Sequence, residues 1–137
     1  MNNKGFTLIE IIGAILILSI LMGIGIPLVT RYIKTAKNRA YETLEDSAYD
    51  AAQSYVIENG IHLSNSDSLE LQINDLLAGN YIKSFQDPDV TEAINCGGKI
   101  IITRDNNLTN QLDNYKYEIR LDCSNYKCTS DCVVYPK

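Results

Sequence analysis

Gly5-Phe6-Thr7-Leu8-Ile9-Glu10, running into the apolar stretch of residues 11–29, decides how this chain is read. A short polar leader, Met1-Asn2-Asn3-Lys4, precedes Gly5, and a Phe follows it. Glu10 is the one carboxylate in a segment otherwise largely apolar from residue 6 to residue 29. Residues 11–29 hold no charged side chain, and Ser19 is their only polar one. About 20 such residues are what a helix needs to cross a bilayer. The run is too long for the apolar part of a secretory signal, and no small-x-small cleavage site follows it.

Glu10 carries the information. A carboxylate within a membrane helix costs roughly 2.5–3.5 kcal/mol near the centre and less near an edge. The next cation C-terminal to it is Arg31, about 30 Å along a helix rising 1.5 Å per residue. Lys4 is nearer but lies beyond Gly5. Cleavage after Gly5 would give Phe6 a new α-amino cation, able to neutralise the Glu10 of a neighbouring copy. The pattern therefore points to processing followed by self-association.

Lys4-Gly5-Phe6-Thr7-Leu8-Ile9-Glu10 resembles the class III leader and processing site of type IV prepilins and pseudopilins. The resemblance covers residues 4 to about 30, continues as a pattern to about Asn59, and does not reach the C-terminal part. It implies that an aspartyl prepilin peptidase cuts between Gly5 and Phe6 on the cytoplasmic face and N-methylates Phe6. Gly5 would be required because the enzyme's cleft admits no side chain there. Glu10 would guide subunit addition by pairing with a neighbour's Phe6 amine, while Leu8 and Ile9 pack in the filament core. Pro27 falls where family members carry a helix-interrupting Pro. A plain signal anchor that happens to begin this way is the alternative.

The helix is expected to outrun the membrane. Residues 30–59 contain no Pro and no Gly, and Ala36, Ala40, Leu44, Ala48, Ala51, Ala52, Tyr55 and Val56 recur at three- and four-residue spacing, an apolar stripe. Gly60 is a C-terminal stop. The expectation is one long helix over residues 6–59, its second half a spine for the remaining domain. Gly23, Gly25 and Pro27 weaken it locally, by about 1 kcal/mol per Gly and about 3 kcal/mol for Pro relative to Ala. In related pili this region is thought to melt or stretch on packing, so residues 22–28 are expected to melt or simply to kink. The resulting division is leader 1–5, transmembrane and filament-core helix 6–30, amphipathic continuation 31–59, and an extracellular domain 60–137.

One signal opposes that topology. Arg31, Lys34, Lys37 and Arg39 follow the apolar run and only Lys4 precedes it, whereas cytoplasmic flanks usually carry the excess of cations. The processing motif and the cysteines argue for an external C-terminal part. In a filament the four cations could meet Glu42, Glu45 and Asp46 of other subunits, or form a solvated face.

With 137 residues and a formal net charge of −5, the chain has room for one membrane helix and one small domain. From Gly60 onward seven Lys and Arg stand against eleven Asp and Glu, an excess of four acids. That argues against nucleic acid as a general partner, since duplex affinity comes largely from basic side chains on phosphate.

Residues 60–95 read as a connecting region. Residues 64–68 are turn-like, Asn74 is a candidate cap for a short helix over residues 75–78 ended by Gly79-Asn80, and Tyr81, Ile82 and Phe85 are anchors onto the long helix. Asp87-Pro88-Asp89 is a turn; Asp87, Asp89 and Glu92 offer oxygens of the kind calcium takes, but the spacing fits no EF-hand, and no metal or other cofactor is expected. Strands are expected at residues 99–103, where Lys-Ile-Ile-Ile-Thr is β-branched, and at residues 115–121, where Tyr115, Tyr117, Ile119 and Leu121 alternate with Lys116, Glu118 and Arg120. Residues 132–135 are a third candidate. An antiparallel meander of three or so strands with one face on the helix follows.

Cys96, Cys123, Cys128 and Cys132 are an even number in a small domain expected outside the cell, which suggests two disulfides among three possible connectivities. Pairing Thr103 or Arg104 with Tyr115 or Lys116 would bring Cys96 near Cys123 and leave Cys128 with Cys132; Cys123 with Cys132 is nearly as natural. A four-cysteine zinc site is the remaining alternative, though no C-x-x-C knuckle supports it. Nothing supports catalysis: His62 stands alone in a loop, and no phosphate loop or nucleophile motif is present. Asn107-Leu108-Thr109 matches a glycosylation sequon.

The sequence thus reads as an α+β, pilin-like subunit that is not an enzyme: a long N-terminal helix packed on a small antiparallel sheet. The resemblance implies a precursor spanning the cytoplasmic membrane once with its N-terminus inside. It would then be polymerised into a surface filament with copies of itself and other pilins by an assembly platform and an ATPase. A pseudopilin of a type II secretion or competence system, and a minor tip pilin acting as a binding module, share the same N-terminus.

Overall fold

The structure is a computed structural model that describes residues 5–106, 114–128 and 132–136. The leader residues Met1 to Lys4 and the sequon at residues 107–109 lie outside the described residues. The chain divides into two compact units, Met1–Asn38 and Arg39–Lys137.

A single helical element, α1 (Leu8–Glu58), contributes to both units. In the first unit it is long and apolar enough to cross a membrane, and its large apolar side chains are exposed, Leu8 by 81%, as is Phe6 just before it, by 78%. The hydroxyls in this stretch turn inward: Ser19 Oγ donates to the Ile15 carbonyl at 2.8 Å, and Thr30 Oγ1 to the carbonyls of Ile26 and Pro27 at 3.2 and 3.0 Å. The hydroxyl groups are thereby satisfied within the helix, as a hydrocarbon environment requires. Residues 22–28 are helical without interruption despite Gly23, Gly25 and Pro27.

In the second unit α1 ends where the sequence suggested, and the backbone gives the reason. Gly60 has φ of +58°, its N–H bonds the Ile57 carbonyl, and the Ile61 N–H bonds the Val56 carbonyl. This is a Schellman stop, whose left-handed residue strongly favours Gly. The chain continues through β1 (Ser68–Gln72), α2 (Ile73–Ala78), β2 (Gly97–Arg104), β3 (Tyr115–Asp122) and β4 (Val133–Tyr135). The strands form one antiparallel sheet in the order β1-β2-β3-β4.

Strand β1 corrects the sequence reading, which left residues 60–95 as connection. Leu69 and Leu71 sit opposite Ile102 and Ile100. Only two apolar side chains alternate in β1, too few to announce a strand, and its pairing with β2 defines it. Asn74 does not cap α2: Gln72 is the extended residue at its start and makes no side-chain cap bond, because the chain passes from strand to helix with no loop. At the other end of α2 the left-handed residue is Asn80, with φ of +60°, and the Tyr81 N–H bonds the Leu76 carbonyl.

The buried face of the sheet follows the predicted alternation: Tyr115, Tyr117, Ile119 and Leu121 of β3 join Ile100 and Ile102 of β2. Ile82 and Phe85 are buried with them, and Tyr81 meets Tyr55 of α1 edge to face at 5.4 Å. The α1 stripe needs correction. Ala48, Ala51, Ala52 and Val56 are buried, but Ala36 is exposed, and Glu45 and Tyr41 occupy the buried positions one and two turns before Ala48. Glu45 is 1% exposed, so it is not available to the cations of another subunit.

Candidate functional site

The residues singled out for processing and assembly gather at the start of α1. Gly5 lies in open space; Phe6, Leu8 and Ile9 are exposed. Thr7 is the residue before the first helical turn, and the N–H groups of Glu10 and Ile11 bond its carbonyl. The Thr7 N–H in turn donates to Glu10 Oε2 at 3.4 Å. Thr7-Leu8-Ile9-Glu10 is therefore the S/T-x-x-E pattern of a capping box, with the acid reaching back to the first backbone donor. A carboxylate there also favours the positive end of the helix dipole. The four-residue signal makes this second role of Glu10 legible in the sequence itself. Gly23, Gly25 and Pro27 lie farther along the same exposed helix.

A second cluster lies in the Arg39–Lys137 unit, and it is made of tyrosines and carboxylates. Tyr41 Oη donates to Asp87 Oδ1 at 3.0 Å, Tyr126 Oη to Glu45 Oε1 at 2.9 Å, and Tyr135 Oη to Asp46 Oδ1. The Tyr41 and Tyr126 rings stack at 4.4 Å, and Tyr49 stacks on Tyr135 at 4.6 Å. Burial, reinforced by the bonded carboxylates, pushes the phenols up: Tyr41 and Tyr126 to about 12, and Tyr135 higher still. Burial pushes Asp87 up, but the backbone N–H groups of Asp89 and Ser124, with the Tyr41 and Ser124 hydroxyls, outweigh it and hold its carboxyl below the ordinary value.

Asp87 is a fastening point. It is 3% exposed; Oδ1 also accepts the Asp89 N–H at 2.9 Å and Oδ2 the Ser124 N–H at 2.8 Å. It thus ties three separate pieces of chain together, with Asn125 Nδ2 bonding Asp89 Oδ2 at 2.9 Å alongside. The Asp87 carboxylate and the sulfurs of Cys96 and Cys123 lie within 4.8 Å of one another, but those sulfurs are bonded together and offer no thiolate to a metal. Glu92 is exposed, and the Asp87 oxygens are already engaged by the donors above. This arrangement fastens the fold and does not resemble an oxygen cage for calcium.

All four cysteines are paired, Cys96 with Cys123 and Cys128 with Cys132. The first bond joins the lead-in to β2 to the end of β3. The register Thr103 with Lys116 and Arg104 with Tyr115 carries those two ends together.

Residues 1–26 match the family model described as the prokaryotic N-terminal methylation motif. The chain therefore carries the class III leader of type IV pilins and pseudopilins. No curated protein and no solved structure matches it.

Proposed function

We propose that this chain is a structural subunit of a type IV pilus-like filament. It is cut between Gly5 and Phe6 by a prepilin peptidase, methylated on Phe6, and polymerised through the apolar half of α1. The observation that carries the reading is the methylation motif over residues 1–26 at the head of a helix with exposed apolar side chains. Such a surface is unfavourable in water at about 25 cal/mol per Å² and is stable only in lipid or against other helices.

The mechanism follows from the chemistry at Glu10. In the free subunit its carboxylate is held by the Thr7 N–H and the end of α1. A methylated Phe6 amine from a neighbour is a full cation in a low-dielectric setting, a stronger partner than one amide. Exchange of the local bond for the intersubunit one sets the axial step of the filament. Leu8 and Ile9 then bury against the neighbouring helices. Residues 22–28 are where the helix yields during packing, because Pro27 leaves a carbonyl without its donor. The membrane precursor has its N-terminus in the cytoplasm, and an assembly platform with its ATPase supplies the work of extraction. The bonded cysteines and the tyrosine clasps keep the outer unit folded at the cell surface.

The test is mass spectrometry of the protein from sheared surface filaments, before and after reduction. A chain starting at methylated Phe6 that gains four hydrogens on reduction is the expected result. A chain still starting at Met1 and confined to membranes sinks the reading.

A further inference from the structure

The cations that follow the apolar run oppose the usual charge bias of membrane flanks. We infer that Arg31 and Lys34, with Tyr32 between them, form a contact for the phosphates of anionic phospholipids in the leaflet opposite the one that Glu10 enters. This rests on the reading of the apolar segment as a membrane span.

The spacing fits. Between Glu10 and Arg31, 21 residues of unbroken helix rise about 31 Å, matching the hydrocarbon core of about 30 Å. With Glu10 at one edge of the core, Arg31 and Lys34 reach the headgroup layer at the other. On a helix Arg31, Lys34 and Thr35 fall on one side. Leu28, Val29, Arg31, Tyr32 and Thr35 line a shallow, mostly apolar groove of about 480 Å³ on the helix surface. That combination suits the junction between an acyl chain and a glycerophosphate.

The chemistry fits as well. A guanidinium takes a phosphate through paired N–H bonds, and an amphipathic ring such as Tyr32, 77% exposed, belongs at headgroup level. No Asp or Glu lies between Glu10 and Glu42. Among the described residues, neither Arg31 nor Lys34 makes an ion pair. The contact would hold the unassembled subunit at a fixed depth, and extraction would break it.

The test uses the full, uncleaved chain in phosphatidylcholine vesicles containing phosphatidylglycerol, at low salt. Spin-labelled lipids of both kinds report which of them sits at the protein surface. The expected result is a preference for phosphatidylglycerol of about five-fold per cation at most. It should be lost in the R31Q/K34Q double variant, whose helical circular dichroism should stay at the wild-type level because both side chains are exposed. Equal association of the two lipids with wild type, or a preference unchanged in the double variant, overturns the inference. Insertion without lipid preference overturns this contact alone, and leaves acidic side chains of neighbouring subunits as the partners of these cations. Failure to insert overturns the membrane reading with it.

Discussion

The Tyr126 hydroxyl donates to the Glu45 carboxylate at 2.9 Å across 81 residues of chain. Glu45 sits on the inward face of α1, among alanines, at 1% exposure. A carboxylate there costs several kcal/mol unless hydrogen bonds replace its water. The same ring stacks on Tyr41, whose own hydroxyl holds Asp87. Two buried carboxylates and two stacked phenols therefore lock the segment between Cys123 and Cys128 onto the helix.

Tyr126→Phe should lower the unfolding free energy of the Arg39–Lys137 unit by about 1–3 kcal/mol, the cost of depriving a buried acceptor of a donor. Adding Glu45→Gln in the same chain should recover part of that loss, since a neutral amide is cheaper to bury. Urea unfolding of the full chain in detergent, followed by near-ultraviolet circular dichroism, measures both. Equal additive losses would show that the two groups do not act as a pair.

Stability should fall at alkaline pH in a defined window. Tyr41 and Tyr126 hold their protons in the folded chain up to about 12, whereas an unfolded tyrosine releases its proton near pH 10. Their contribution is fully present below pH 10 and is lost as pH rises toward about 12. Asp87 works in the opposite sense. Its folded carboxyl lies below the ordinary 3.8, so its contribution is present above that value and is lost as pH falls through the lower, folded one. Melting temperature against pH should show both edges, and Tyr126→Phe should flatten the alkaline one.

The two disulfides should differ in worth. Cys96 and Cys123 are 27 residues apart and buried, and Cys128 and Cys132 are four apart and half-buried. Loop-closure entropy gives about 3–4 kcal/mol for the first and about 2 kcal/mol for the second. A double Ala variant of each pair, melted under identical conditions, should place the Cys96 and Cys123 variant lower. Mild reductant should open Cys128 with Cys132 first, read by alkylation and peptide mapping.

Gly98→Ala should destabilise strongly. Gly98 has φ of +135°, and a Cβ there would stand 2.2 Å from the Arg120 carbonyl oxygen. Both the conformation and the contact belong to backbone, so no side chain can move aside. A loss of about 2 kcal/mol or more is expected in the same urea assay, whereas Gly97→Ala, with its nearest contact at 3.7 Å, should be mild.

The sequence by itself determined the elements whose causes are local. The 19 residues from 11 to 29 without a charge fixed a helix long and apolar enough to cross a membrane. The Thr30 to Asn59 stretch free of Pro and Gly carried the helix onward, and Gly60 stopped it through its left-handed φ. Strict alternation from Tyr115 to Leu121 declared β3 and its inward face, and the lead-in to α1 declared the N-terminal methylation motif. Tertiary structure decided what depends on distant partners. Two apolar residues in β1 became a strand only because β2 offered them Ile100 and Ile102. Glu45 became a core residue, against the rule that keeps carboxylates in water, where Tyr126 arrives from the far end of the chain with a hydroxyl. Asp87, an ordinary turn residue by sequence, became the knot of three segments once the donors of Tyr41, Asp89 and Ser124 converged on it. A buried charge is allowed by its neighbours, and those neighbours exist only after folding.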